Sequence, residues 1–437
     1  MPTQLFAVTG NPILHSKSPN MFNAQFEHAD MDAEYLYFAA ETAQEAIFLF
    51  KELGVKGMNV TSPFKEKIGA LLDVVHDEAK ILGSVNTIVE KDGKLHGYNT
   101  DFYGVTQSFF DAGISLKGKK CLVIGAGGAG KAAAYGLHSQ GAEVIIVNRT
   151  FQKARQAANI IGCKYSELEE LPRLLRKCEI VISALQQNVN PIEENWLTGN
   201  HIIFDANYKG SPLIEMAKRK NCTIVSAEDW LLNQAIASYK IFLGNEPDKA
   251  IMKQGLSMPT LAEKNHVLTT IGIMGAGKTT HGFELSQKLN YDFIDIDDEI
   301  VAEQGKPITE IFAEHGEAYF REVEKNTLSR HFCAAKPSIL SCGGGIVVNE
   351  PNRKLLKDNT LVVWFYATPQ TIIQRINIAK RPLLQGDNPL GKLQQILADR
   401  KEKYAQTAHV VFSTEDSTKY HTAERLQDEI ERIWKTK

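Results

Sequence analysis

Gly272-Ile273-Met274-Gly275-Ala276-Gly277-Lys278-Thr279-Thr280 fits G-x-x-x-x-G-K-[ST], the phosphate-binding loop. The run before it, Val267–Ile271, reads as a short buried strand, and residues 280–289 after it have the spacing of a helix. In that setting the glycines let backbone N–H groups close around phosphate oxygens at a helix N-terminus, whose dipole favours negative charge. Gly272, Met274, Gly275, Ala276, Gly277 and Thr280 would shape the cradle. Lys278 would reach the transferred phosphate, and the Thr279 hydroxyl would hold Mg²⁺. A glycine-rich turn that merely starts a helix needs neither a lysine nor a hydroxyl at those offsets. The loop begins only at residue 272, so a large unit precedes it.

A chain of 437 residues is long enough for two to four domains at roughly 100–200 residues each. Hydrophobic content of 43% and charged content of 23% are those of an ordinary globular protein. The formal net charge of −3 offers no electrostatic argument for nucleic acid or a membrane surface. Cys121, Cys163, Cys178, Cys222, Cys333 and Cys342 are scattered without a C-x-x-C pair, which points to free thiols in a reducing compartment. The first residues lack a basic segment followed by an apolar run, and no apolar stretch approaches ~18 residues. The expectation is a cytoplasmic enzyme acting on small molecules, with no nucleic acid, membrane or obligate protein partner.

Strand-like apolar runs alternate with amphipathic helical ones along the chain, which predicts an α/β fold with largely parallel sheets. Strands are expected at residues 5–9, 57–60, 120–124, 144–147, 180–183 and 202–205, then at 267–271, 338–341 and 361–365. Residues 244–265 lose periodicity and contain two turn-rich stretches, so the main boundary is placed there. A charged amphipathic helix is expected at 422–435.

A second glycine loop follows the strand at 120–124. Gly125, Gly127 and Gly130, with Ala126, Gly128 and Ala129 between them, satisfy G-x-G-x-x-G between a strand and a helix. Residues 125–131 also satisfy G-x-x-x-x-G-K, but residue 132 is alanine and the metal-binding hydroxyl is missing. This decides for a dinucleotide loop. At the end of the next strand, where an NAD site places an acidic residue on the ribose, the chain has Asn148-Arg149-Thr150, with Lys153 close behind. A guanidinium beside an amide and a hydroxyl suits the 2′-phosphate of NADP(H).

Three polar patches lie upstream: Gly10-Asn11-Pro12-Ile13-Leu14-His15-Ser16-Lys17-Ser18-Pro19, Asn59-Val60-Thr61-Ser62-Pro63-Phe64-Lys65 and Asn99-Thr100-Asp101. Each follows or ends an expected strand, where an open α/β sheet keeps its sites. From the residues alone the reading is an NADP-dependent reductase of a small polar substrate. Residues 10–19, 59–66, 85–88, 99–101 and 125–130 together resemble shikimate dehydrogenase, in order and at that family's spacing. The resemblance implies that Ser16, Ser18, Thr61, Asn86 and Gln234 bind the substrate's hydroxyls and carboxylate, with Tyr208 on the substrate side. It also implies that Lys65 and Asp101 are the catalytic pair. Ser183-Ala184-Leu185-Gln186-Gln187-Asn188 departs from the family's Asn-Ala-Thr run near the nicotinamide.

Beyond the opening loop come Asp295-Ile296-Asp297, Glu317 and Arg321, Gly343-Gly344-Gly345, Arg381-Pro382 and Arg400. Two acidic residues at a strand end suit Mg²⁺ and a substrate hydroxyl, and the arginines suit an anionic substrate or a closing lid. Together these residues resemble shikimate kinase over 266–437. The resemblance implies that Asp297 orients the acceptor hydroxyl and that Arg321 and Arg400 clamp the shikimate carboxylate. Gly343, Gly344 and Gly345 would offer backbone N–H groups. Asp295 would join Thr279 at Mg²⁺, Arg375 would stack on the adenine of ATP, and Arg381 would stabilise the transferring phosphoryl group.

The expected organisation is therefore a substrate domain at 1–104, completed by helices at about 234–250, and a Rossmann NADP domain at 105–233. A linker at 251–265 and a P-loop kinase domain at 266–437, with the parallel sheet of nucleoside-monophosphate kinases, follow. The resemblances imply a bifunctional enzyme that reduces 3-dehydroshikimate and phosphorylates the shikimate formed. Two alternatives stay open: a chain in which only the kinase half is fully active, and a non-catalytic regulator derived from both enzymes.

Overall fold

The computed structural model describes residues 3–186, 189–207, 210–259, 266–332, 336–415 and 419–434. Two compact units are formed, one from Met1–Phe64 with Gln254–Lys437 and the other from Lys65–Lys253.

The first unit contains a continuous run of eight strands. Their spatial order is Asp292–Asp295, Ser338–Ser341, Val267–Ile271, Leu361–Tyr366, Val410–Ser413, Ala33–Phe38, Gln4–Thr9 and Gly57–Val60. Every neighbouring pair in that run is parallel. Parallel strands covered by helices are buried on both faces and read as unbroken apolar runs rather than alternations. Leu361–Tyr366 is buried at all six positions for this reason. Midway along the run, Val410 pairs with Tyr37 and Val411 with Phe38. The Tyr37 N–H donates to His409 O at 3.0 Å, and the Ala39 N–H donates to Val411 O at 3.1 Å. Strands from the two ends of the chain thus share one hydrogen-bonded ladder. Around it Lys357 pairs with Glu34 at 2.6 Å, and Arg425 pairs with Glu45 at 3.1 Å.

In the second unit a six-stranded parallel sheet has the order Thr223–Val225, Ile202–Asp205, Ile180–Ser183, Lys120–Ile124, Glu143–Val147 and Lys164–Ser166. Side chains of a strand alternate between faces. Cys121 and Val123 accordingly enter one apolar cluster, and Leu122 and Ile124 the other. The order turns back on either side of Lys120–Ile124, and the glycine loop leaves at that switch point. A hairpin of Thr87–Lys91 and Lys94–Tyr98 and the packed helices Asp101–Asp111 and Ala227–Leu243 complete the unit.

The α/β class and the parallel sheets are those read from the sequence, and each expected strand is present within a residue or so. Among the described residues eight strands lie outside the expected ranges: Ala33–Phe38, Val74–Val75, Thr87–Lys91, Lys94–Tyr98, Lys164–Ser166, Thr223–Val225, Asp292–Asp295 and Val410–Ser413. They are short, or carry acidic, tyrosine or glycine positions that break an apolar run. Where periodicity fades after residue 244, residues Lys249–Ser257 form a helix. It buries Met252 and Gly255 on one face, and a Cβ at Gly255 would lie 2.5 Å from the Asn20 carbonyl oxygen, so the helix packs closely there. Cys121, Cys163, Cys178, Cys222 and Cys342 are free thiols, and Cys333 lies outside the described residues. Among the described residues no helix is long and apolar enough to cross a membrane.

Candidate active sites

In the second unit the helix Asp101–Asp111 begins just after the strand Lys94–Tyr98 ends, which sets Asp101 beyond that strand's end with only 8% of its surface exposed. Lys65 Nζ lies 2.6 Å from Asp101 Oδ2, and Asn86 Nδ2 donates to Asp101 Oδ1 at 2.9 Å. A buried carboxylate needs such partners to stay charged. Asn86 is itself fixed: its amide oxygen accepts from the Thr100 N–H at 2.8 Å and from the Thr87 hydroxyl at 2.8 Å. Trp230 Nε1 donates to Asp101 O, and Gly104 lets the helix Ala227–Leu243 approach so closely that a Cβ would lie 2.8 Å from Gln234 Cβ. Lys65, Asn86, Asp101 and Gln234 are thereby gathered in one region. The roles of Trp230, Thr87 and Thr100 were not read from the sequence, since they only brace the residues that were.

Ser16, Ser18 and Thr61 belong to the first unit. The Ser16 and Ser18 hydroxyls are 3.3 Å apart, and the Thr61 N–H donates to Thr9 O at 2.8 Å. Tyr208 lies outside the described residues, as do Gln187 and Asn188 of the departing run.

The loop Gly125 to Gly130 lines a cavity of about 490 Å³ through Ala126 and Gly127, facing Arg149, Thr150 and Lys153. Gly130 is required by close approach: a Cβ there would lie 1.9 Å from Gly125 O. Gly128, Ala129 and Gly130 open the helix Gly128–Ser139. Asn148 Oδ1 accepts from the Ala126 N–H at 3.2 Å, so the expected ribose-side residue also braces the loop. Lys131, the lysine of the incomplete G-x-x-x-x-G-K match, lines the cavity as a third cation. Three cations and backbone N–H groups at a helix start suit a dinucleotide bearing an extra phosphate.

In the first unit a cavity of about 520 Å³ is lined by Met274, Gly275, Gly277, Lys278, Thr279 and Thr280 of the opening loop. Asp295, Asp297, Gly343, Gly344, Arg375 and Arg381 line it too. Gly272 and Ala276 are buried behind the loop. Lys278 donates to Ile273 O at 3.2 Å, and burial of its ammonium pulls its pKa down to about 8 against the attraction of Asp297 and Asp295. The Thr279 hydroxyl donates to Asp295 Oδ2 at 3.0 Å and lies 3.1 Å from Ser341 Oγ. Asp295 also caps the helix Ile296–Gln304, accepting from the Asp297 N–H at 3.1 Å. Ser341 was missed, being an ordinary last residue of a buried strand.

The Gly343-Gly344-Gly345 run is where the substrate-side residues meet. A Cβ on Gly343 would lie 2.7 Å from Asp297 Oδ1, and one on Gly345 would lie 2.9 Å from Arg321 Nη2. Gly344 O accepts from Arg400 Nη1 at 3.0 Å and from the Tyr404 hydroxyl at 2.7 Å. Burial and the Asp295 charge raise the Asp297 carboxyl above its usual range. Arg321 lies about one turn into the helical segment that follows Gly316, whose φ of 78° only glycine adopts freely. It pairs with Glu324 at 2.8 Å, one turn on, and with Glu317 at 3.1 Å. Glu324 is 1% exposed and burial pushes it up to about 7. Arg375 donates to the Thr414 and Glu415 carbonyls at 2.7 and 2.6 Å, which pins its guanidinium at the cavity's edge.

Three family models match the chain: the shikimate dehydrogenase substrate binding domain over residues 8–88, shikimate / quinate 5-dehydrogenase over 105–217, and shikimate kinase over 274–431. A shikimate dehydrogenase (NADP(+)) of Archaeoglobus fulgidus is 37% identical over 261 residues, covering 56% of this chain and 95% of that protein. The crystal structure of shikimate dehydrogenase from Aquifex aeolicus is 35% identical with a TM-score of 0.55, covering 59% of this chain and 98% of that one. The Thermus thermophilus shikimate 5-dehydrogenase, solved in complex with NADP(H) and shikimate, is 29% identical with a TM-score of 0.54 over 58% and 98%. Spanning nearly the full length of these relatives and continuing into a kinase domain, the chain belongs to the shikimate dehydrogenase family and is a bifunctional enzyme that joins it to shikimate kinase.

Proposed function

We propose that the dehydrogenase part, residues 1–250, reduces 3-dehydroshikimate to shikimate with NADPH, and that residues 266–437 phosphorylate shikimate on its 3-hydroxyl with ATP and Mg²⁺. The observation that carries the first reaction is the Lys65–Asp101 pair at 2.6 Å, steadied by Asn86. NADPH supplies the hydride. As the carbonyl oxygen gains negative charge, the Lys65 ammonium stabilises it and donates a proton, and Asp101 holds Lys65 in place. Arg149 and Lys153 at the cavity rim support selection of the 2′-phosphate.

For the second reaction, the raised pKa of Asp297 makes it a base able to take the acceptor hydroxyl's proton. Arg321 and Arg400 hold the shikimate carboxylate beside the glycine run. Lys278 and Arg381 converge on one cavity, where they stabilise charge on the transferring phosphoryl group. Bound there, Mg²⁺ would neutralise phosphate charge. The Thr279 hydroxyl and the Asp295 carboxylate, 3.0 Å apart, fit it with few protein ligands, as that ion prefers among phosphates and water. The product of the first reaction is the substrate of the second, and dependence on both NADPH and ATP supports a cytoplasmic location.

The test is a pair of assays on the purified chain. Shikimate with NADP⁺ should yield NADPH, and shikimate with ATP and Mg²⁺ should yield ADP and a shikimate phosphate. Absence of either product removes the corresponding assignment.

A further inference from the structure

Residues 10–17 join the strand Gln4–Thr9 to the helix Ser18–His28 and carry Ser16 next to Ser18. Having no ladder of its own, this loop needs other acceptors for its buried N–H groups. Ile13 and Leu14 are 0% and 3% exposed. Their N–H groups both donate to the carboxylate of Glu429, Ile13 at 2.9 and 3.0 Å to its two oxygens and Leu14 at 3.1 Å. Glu429 stands more than 400 residues downstream, on the helix Lys419–Ile433 and within the span that matches shikimate kinase. It is 5% exposed, and burial raises its carboxyl above the usual range against the pull of those two donors and of Arg432 and Arg425.

The loop is then closed by short contacts. Ile13 O accepts from the Ser16 N–H at 2.9 Å, and Ser16 O accepts from the Tyr37 hydroxyl at 2.8 Å. Tyr37 is the residue that pairs with Val410 in the shared ladder. Burial, with the charge of Glu429 nearby, raises the Tyr37 phenol and keeps it a donor. Both ties on Ser16 therefore lead to the downstream part of the chain. Bonds donated to a carboxylate are charge-assisted and are the stronger of the two.

We infer that Glu429, a residue of the kinase part, is a positioning residue for the dehydrogenase reaction: it holds the turn that presents Ser16 and Ser18 to the substrate. The inference rests on the dehydrogenase reading above. It makes the affinity of the first reaction's substrate depend on a side chain that takes no part in the second reaction.

The test uses the full chain with E429Q, which keeps the shape and one acceptor oxygen but turns an amide N–H₂ towards a backbone donor. The KM for shikimate in the NADP⁺-dependent oxidation should rise about tenfold, the size expected for losing a bond to a charged group. The kcat, the KM for NADP⁺ and both kinase constants should stay within about twofold, the kinase assay on the same preparation reporting that the variant is folded. Y37F should raise the same KM without touching the kinase. Hydrogen exchange at Ile13 and Leu14 should quicken in E429Q. An unchanged shikimate KM, unchanged exchange, or equal losses in both reactions overturns the inference. Should the unsubstituted chain oxidise no shikimate, the dehydrogenase reading falls, while the exchange comparison still decides whether Glu429 holds the loop.

Discussion

The Lys65 ammonium and the Asp101 carboxylate stand 2.6 Å apart, the lysine 28% and the aspartate 11% exposed at the side chain. An ammonium so placed can give a proton to a developing alkoxide while the carboxylate limits its movement. Lys65→Ala should lower dehydrogenase kcat about 10²–10⁴-fold, the usual worth of a general acid. Kinase turnover on the same preparation should be unchanged. A parallel loss of both activities would falsify the assignment of Lys65 to one reaction.

Arg149 faces the dinucleotide cavity with Lys153 and Lys131. Removing a charged partner of a phosphate costs about 1.5–3 kcal/mol, roughly ten- to a hundredfold in KM. Arg149→Ala should raise the KM for NADPH by that factor and leave the KM for NADH nearly where it was. Equal effects on the two cofactors would show that the guanidinium does not read the 2′-phosphate.

Gly343 leaves no room for a side chain, because a Cβ would come within 2.7 Å of Asp297 Oδ1. The carboxylate can swing away at small cost to folding, but it would no longer face the acceptor hydroxyl. Gly343→Ala should therefore cut kinase kcat about a hundredfold, the penalty of a displacement near 1 Å. Circular dichroism and dehydrogenase turnover should stay those of the unsubstituted chain. Retention of full kinase activity would remove Asp297 from the proton-transfer step.

Glu324 carries a pH signature. Burial raises its folded-state pKa from 4.5 to about 7, so the folded chain prefers the protonated acid. Its contribution to stability is fully present below about 4.5 and is lost as the pH rises through about 7. Glu324→Gln keeps an oxygen for Arg321 and Asn352, which now share Glu324 Oε2 at 2.8 and 2.9 Å, and cannot ionise. Melting temperatures measured across that window should fall further in the unsubstituted chain than in the variant. Parallel curves would mean that Glu324 ionises as freely in the folded state as in the unfolded one.

The parts of the fold and site that could be read from the sequence are those whose cause is local. Both glycine loops declare themselves because a phosphate cradle needs its glycines, lysine and hydroxyl at fixed offsets. Strands such as Leu361–Tyr366 do so because burial on two faces leaves an apolar run. Glu324 was within reach, three residues from Arg321 on one helix, a spacing at which opposite charges meet. Glu429 was not. Its partners are two backbone N–H groups some four hundred residues away, and no side-chain pattern marks a backbone donor. The pairing of Val410 with Tyr37 was equally hidden, since each reads as an ordinary buried strand residue.

That ladder has a consequence for how the two activities can be separated. Separating the two parts would strip Ala33–Phe38 and Val410–Ser413 of each other, leaving each as an open margin of a sheet. Tyr35, Leu36, Tyr37 and Phe38 on one side, and Val410, Val411 and Phe412 on the other, are buried and uncharged. Unpaired strands of that composition, with no lysine or proline to blunt them, are templates for aggregation. In the fused chain each catalytic part thus covers a strand border of the other.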